Sequence, residues 1–421
     1  MLLPTTRTAS ARLARRSFAT VVDNAGLKVA SIDSSQPTVS VTVLAKAGPR
    51  YQSKPGVAHA LKNFAFKATG DRSALGTIRE SELYGGVLSS TLSREHLALT
   101  AEFLRGDEQF FVDVLSSVIS STKYTRHEYE ELVLPVMESE ISALHADPAA
   151  HAVELAHALA FRSGLGASLF AAPHSPVTAH DVQQFAASAF SKGNIAILGT
   201  GISESALSSL AAAASGATAP AATASTYFGG ETRVESHSGP QTLFIGFGAA
   251  GAPGAELAAL AAYLDPNPSV KWSRGQSPLL QDGATSAKVV YLPYSDAALV
   301  GVVVQGASAE GLRAAGKAAV AALKGAATLK AEDLKAAIAR AKFRLASAVD
   351  SREGLVDALG SKVQLVLSGS SEISLDASLA SLDKITAASI NKAATALVKS
   401  KPTFVAVGNT TALPFADELG L

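Results

Sequence analysis

The sequence predicts an α+β fold built twice, two copies of one helix-and-sheet domain in a single chain. Three observations carry this. Val177-Thr178-Ala179-His180-Asp181-Val182 opens an amphipathic segment to about residue 190, and an apolar strand follows over 194–199. Near the C-terminus Ile385-Thr386-Ala387-Ala388-Ser389-Ile390 opens a similar segment to about 398, then a strand over 403–408, and the two align without a gap. A second pair agrees: long helix candidates over 125–144 and 329–349 are each followed by another, over 150–161 and 354–367. Finally, residues 211–225 are almost wholly Ala, Ser, Thr and Gly with Pro220, a stretch without large apolar side chains that reads as a linker. Two unrelated domains would not produce the ungapped match.

The elements follow in order. Each copy opens on a strand and a helix, over 39–45 and 57–67 in the first and over 243–248 and 256–264 in the second. Thr178 and Thr386 stand at helix starts, where a hydroxyl accepts a hydrogen bond from an unpaired backbone N–H. The expected organisation is a leader over 1–18, a first domain over 19–210, a linker over 211–228 and a second domain over 229–421.

Composition narrows function. Apolar residues make up 48% of the 421 residues and charged ones only 17%, which suits helices packed on sheets with large buried faces. The 36 Lys and Arg balance the 36 Asp and Glu, so no global field favours nucleic acid or an anionic membrane. With no cysteine, the chain has no disulfide, thiolate zinc site, cluster ligand or cysteine nucleophile. Residues 1–22 carry Arg7, Arg12, Arg15 and Arg16 with no acid before Asp23, the composition of a mitochondrial transit peptide. Arg16-Ser17-Phe18-Ala19 resembles a matrix processing site, with cleavage after Phe18. The segment nearest to a membrane span, 246–264, contains Gly, Pro and Glu256 and falls short of the ~20 apolar residues a span needs.

One stretch carries the outline of a metal site. The inverted zinc motif H-x-x-E-H places two imidazoles four residues apart on one helical face, with a Glu between them as the base for the metal-bound water. Here that frame reads His59-x-x-Lys62-Asn63. The base position holds a cation, and the second ligand position holds an amide, a poor zinc ligand. A helix with one buried histidine is the plainer reading of His59 alone, but it leaves the flanking residues unexplained.

Those flanks, Gly56-Val57-Ala58-His59-x-Leu61-x-x-x-Ala65-Phe66-Lys67-x-Thr69, resemble the first helix of the mitochondrial processing peptidase and pitrilysin-like metallopeptidases. In that family the third ligand is a Glu on a later helix, and Glu140 lies at about that distance. The family builds its chains from two α/β sandwich domains, each a mixed sheet packed by helices, so the resemblance covers nearly the whole mature chain. Active members carry an Arg-Gly-Leu-x-Tyr-like run, which is not found near 281–284. The glycine-rich loop of the processing peptidase's non-catalytic subunit is not evident either. Val270-Lys271-Trp272-Ser273 and Tyr294-Ser295-Asp296 resemble segments of the family's core-subunit branch, built into mitochondrial ubiquinol–cytochrome c reductase, respiratory complex III.

The resemblance therefore implies a non-catalytic scaffold subunit, with His59, Lys62, Asn63 and Glu140 as degenerate motif positions, and with no catalytic residue, metal or cofactor of its own. Its implied partners are the related core 1 subunit, cytochrome b, cytochrome c1 and the iron–sulfur protein of a dimeric complex. Its implied place is peripheral, on the matrix side of the mitochondrial inner membrane. The alternative is a non-catalytic subunit of a processing peptidase that cleaves presequences.

Other motifs carry less. Gly246-Phe247-Gly248-Ala249-Ala250-Gly251 fits a dinucleotide fingerprint, but a proline-broken loop at 265–268 stands where the second strand should be, so tight packing at a strand-to-helix turn is expected of these glycines. Residues 311–318 miss a phosphate loop because Ala318 cannot bind magnesium, and they read as helix interior. His127 and Glu131 sit at what reads as a solvated helix start, with acids near the positive end of the dipole. His145, His151 and His157 recur every six residues, a spacing that sends each to a different helical face.

Overall fold

A computed structural model of the chain describes residues 20–24, 27–32, 37–173, 175–203, 206–207, 210, 213–214, 223–267, 277–279, 285–350 and 375–421. The expected leader over 1–18, the helix over 354–367 and the segments 270–273 and 281–284 lie outside these residues, as does most of the linker.

The first half forms one mixed sheet. Strands β1 (Thr20–Asn24), β2 (Leu27–Ile32), β3 (Thr38–Ala45), β4 (Val87–Leu92), β5 (Leu97–Leu104) and β6 (Ile195–Thr200) lie in the order β1-β2-β6-β3-β5-β4. All pair antiparallel except β2 with β6. Helices α1 (Val57–Phe64), α2 (Ala74–Leu83), α3 (Glu108–Ser120), α4 (Leu134–Ala146), α5 (Pro148–Phe161) and α6 (Ala179–Ala189) are threaded between the strands. The core gathers Val39, Val41 and Val43 of β3, Leu61 and Phe64 of α1, Phe111 and Leu115 of α3 and Val182 and Phe185 of α6. The alternate β3 positions are also covered, and Thr42 meets Thr100 across the strand pair at 2.9 Å. A strand buried on both faces needs this nearly continuous apolar and β-branched run.

The second half repeats the pattern. Strands β7 (Gly230–Glu235), β8 (Gln241–Ala250), β9 (Thr285–Pro293), β10 (Ala297–Gly306) and β11 (Thr403–Gly408) lie in the order β7-β11-β8-β10-β9, with β7 and β11 the parallel pair. This is the order β2-β6-β3-β5-β4 over again, strand for strand and with the parallel pair in the same place. Helices α7 (Ala255–Leu264), α8 (Ala309–Gly325), α9 (Ala331–Asp350), α10 (Leu375–Asp383) and α11 (Ala387–Lys399) accompany it. The equivalent helices α6 and α11 start identically: Thr178 closes a capping box with Asp181, and Thr386 closes one with Ser389.

The halves are joined by more than the linker. Helix α5 belongs to the first half in sequence but packs on the second sheet. Its Ala152, Ala156 and Ala160, one helical stripe of small residues, sit with Phe161 against Phe244, Leu299, Val303, Val405 and Val407.

Several expectations need adjustment. The helix predicted over 57–67 ends at Phe64. The chain then swings out through Phe66 at φ 60°, so that the Ala68 N–H can reach the Glu128 carboxylate and Thr69 can bridge to Thr122. The helix predicted over 125–144 is not uniformly α: Tyr129–Val133 widens to a π-helical stretch directly before Pro135, which has no N–H to donate to the preceding turn. Its start is not simply solvated, because Glu128 is buried and also accepts from the Thr125 hydroxyl. Gly246 and Gly248 lie within β8 rather than in a turn, and a Cβ there would strike the rings of Phe244 and Tyr227. Residues 311–318 are interior to α8, as expected.

Candidate functional site

Helix α1 is two turns long, too short to persist without outside support. Its start is held by Gln52, whose side-chain oxygen accepts from the backbone N–H groups of Gly56 and Ala58. Gly56 takes φ 92°, and a Cβ there would lie 2.7 Å from that of Ala171, so both backbone and space require glycine. Val57, Ala58, Ala60, Leu61 and Phe64 are buried in the core. That orientation turns positions 59, 62 and 63 together toward α4.

There the four expected residues converge. His59 Nε2 lies 2.6 Å from Glu140 Oε2, and Asn63 Nδ2 donates to the same oxygen at 3.1 Å. Lys62 Nζ donates to Oε1, the other carboxylate oxygen. His59 is only 2% exposed and meets the edge of Phe170, with ring centroids 5.4 Å apart. Its second nitrogen, Nδ1, accepts the backbone N–H of Ala171 at 3.2 Å. An acceptor at Nδ1 fixes the tautomer: the imidazole is neutral and its proton sits on Nε2, donated to Glu140.

Burial by itself would raise the Glu140 pKa. Hydrogen bonds from His59, Lys62 and Asn63, together with the Lys62 charge, outweigh burial and bring it from 4.5 to about 2.

This donor set does not fit a zinc ion. The His59 nitrogen that faces the site carries a proton, one carboxylate oxygen is held by an ammonium and the other receives two N–H groups. The amide of Asn63 presents its NH2 and not its oxygen. No carboxylate stands at position 62 to take a proton from water. Among the described residues no three His, Asp or Glu side chains are grouped to hold a metal.

The other histidines are placed differently from expectation. His145 and His151 do not diverge: the helix breaks at Asp147, and their rings stand edge to face with centroids 4.8 Å apart. His157 is buried at the junction of the two halves. Its Nδ1–H donates to Val153 O at 2.7 Å, so Nε2 accepts the Tyr294 hydroxyl, also at 2.7 Å. Burial first, then the nearby Arg94 charge, holds this imidazole well below its ordinary pKa.

The junction also holds residues that sequence reasoning missed. Arg50 Nη1 donates to Glu95 Oε1 at 2.7 Å and to Ser295 Oγ at 3.1 Å, and both of its terminal nitrogens reach Asp296. Asp296 also accepts the Ser225 N–H and hydroxyl, and Glu95 accepts the Ser295 N–H and hydroxyl. Nearby Arg94 bridges Glu154 and the carbonyls of Leu165 and Ala167. The only signal in the sequence was Tyr294-Ser295-Asp296, noted for its likeness to other chains and not for any chemistry.

The fold and this four-residue cluster define a peptidase-like chain. The family model for insulinase, peptidase family M16, matches residues 28–173, which hold all four cluster residues. Over almost its full length the chain is similar to proteins named cytochrome b-c1 complex subunit 2, mitochondrial. It is 45% identical to that of Cryptococcus neoformans var. grubii, covering 98% of this chain and 96% of the relative. It is 38% identical to that of Yarrowia lipolytica, covering 97% and 98%. The human relative is 28% identical, covering 94% and 90%. The chain belongs to the family of mitochondrial cytochrome b-c1 complex subunit 2 proteins.

Proposed function

We propose that the chain is a non-catalytic core subunit of mitochondrial respiratory complex III, the ubiquinol–cytochrome c reductase. The observation that carries its non-catalytic character is the saturation of Glu140. Its carboxylate, at the place of a metal ligand, is held by three side-chain donors from α1. Nothing in that arrangement activates water, and the redox chemistry belongs to haem and iron–sulfur subunits elsewhere. Family membership supports the complex. The subunit sits peripherally on the matrix face of the inner membrane, beside the related core 1 subunit and against cytochrome b, cytochrome c1 and the iron–sulfur protein. No helix among the described residues is long and apolar enough to cross a membrane, which accords with a peripheral place. Residues 19–210 and 229–421 act as its two domains, and residues 1–18 direct import and are removed.

The experiment is depletion followed by native separation of mitochondrial membranes. The chain should migrate with the b- and c-type cytochromes, and its loss should lower the amount of assembled complex III. Quinol oxidation per haem b should stay nearly constant. Migration with a soluble zinc peptidase instead, or presequence cleavage by the purified chain alone, would overturn the reading.

A further inference from the structure

Helix α4 is weakly seated. Of its thirteen residues only Met137 is fully buried, while Val136 is 44% exposed. Tyr129 and Val133 are buried in the widened turn before it, but beyond Met137 apolar packing gives out. Glu140, one turn further along, is where α4 meets α1. In a metal site of this outline a divalent cation would draw the helices together through the carboxylate. Here the neutral donors His59 and Asn63 leave the carboxylate's charge uncompensated, and among the described residues the Lys62 ammonium is the one positive charge on it. The Lys62 side chain is 20% exposed and is steadied through its own backbone, whose carbonyl accepts the Ser90 hydroxyl of β4 at 3.2 Å.

We propose that Lys62 is a resident cation: its ammonium does the structural work of a metal ion by seating α4 on α1 through Glu140, and so makes this half of the molecule independent of metal supply. The inference rests on the reading above that no metal is bound here, and it adds which residue replaces it. One ammonium neutralises the one carboxylate, so charge balance calls for no further cation there. The geometry favours it too, because Lys62 and Asn63 share the carboxylate without competing for one oxygen.

The test is thermal melting of the full-length purified chain and its variants, each with a chelator and with added zinc. Lys62→Met should lower the melting temperature by roughly 1–3 °C. Glu140→Gln should lower it similarly, and Lys62→Met/Glu140→Gln should fall no further than the worse single variant, because both changes remove one tie. The double variant also serves if Lys62→Met, left with an uncompensated carboxylate, fails to fold. A Lys62→Met protein that melts with the wild type, or single losses that simply add in the double variant, would overturn the proposal and leave the metal-free reading standing. Zinc raising, or chelator lowering, the wild-type melting temperature would instead overturn the metal-free reading itself.

Discussion

Two of the polar networks among the described residues differ in how they are built. At the degenerate motif three donors come from one short helix and converge on one carboxylate, itself 30% exposed. At the junction of the halves Arg50 and Glu95 are each only 4% exposed, and Arg50 is shared with Asp296, 246 residues further along the chain. The first network lies within one half, and its carboxylate is partly wet. The second spans the halves and is dry at Arg50 and Glu95, while its Asp296 is as exposed as Glu140, and it fixes one half against the other. The contrast teaches that a recognisable motif need not mark where the largest energies lie. Buried charge is most consequential where water is excluded and the partners come from different parts of the chain.

The difference between the two networks should show most clearly at Arg50. Arg50→Met leaves Glu95 buried without its cation and strips Asp296 of a two-nitrogen contact. Removing one partner of a buried pair costs about 3–5 kcal/mol, so this loss should exceed those at the motif residues. Arg50→Lys should recover little, because one ammonium cannot reproduce the fork that meets both carboxylates. Denaturant unfolding of the purified variants checks this. A loss at Arg50→Met no larger than at the motif residues would erase the distinction between the two networks.

The two buried histidines allow a matched test. Tyr294→Phe removes the donor to His157 and leaves a buried ring nitrogen without a partner, which should cost about 1–3 kcal/mol. His59→Ala should cost a similar amount, about 1–3 kcal/mol, through lost packing on Phe170 and lost hydrogen bonds to Glu140 and Ala171. In assembled complex, quinol oxidation per haem b should not change with His59→Ala. A collapse of normalised turnover at normal haem content would give that residue a catalytic role and end the scaffold reading.

How far these networks were legible in the sequence follows from their chemistry. The cluster of His59, Lys62, Asn63 and Glu140 was readable because helical spacing puts positions 59, 62 and 63 on one face and a family outline pointed to Glu140. The two sheets were readable because the capped helix and strand at 178–200 and 386–408 repeat without a gap. What could not be read was anything set by packing between the halves. Arg50 carries no motif, and its partner Asp296 is reached only after two sheets have formed. The crossing of α5 to the second sheet leaves only a stripe of alanines, which any packed helix can show. The pairing of His145 with His151 was missed because a six-residue spacing separates side chains on an unbroken helix, and Asp147-Pro148 breaks this one.

The smallest predicted effect is also the most specific to the motif. Glu140 has a folded pKa near 2 against an ordinary value of 4.5, lowered by donors that favour its charged form against the effect of burial. A carboxylate whose folded pKa is depressed adds stability that is fully present above the unfolded value. That stability is lost as pH falls through the window down to the folded value. Stability should therefore drop between about pH 4.5 and pH 2, and Glu140→Gln should remove this part of the drop while lowering stability at neutral pH. With the side chain 30% exposed, solvent screening limits the contribution to about 1 kcal/mol. Asp181, drawn down to about 2 by Lys54 and the Thr178 cap, titrates in the same window and will persist in the variant. The quantity to measure is therefore the difference between wild-type and Glu140→Gln unfolding curves from pH 7 to pH 2. A constant difference across that range would mean that the Glu140 charge contributes nothing, and that the cluster holds α1 to α4 by shape alone.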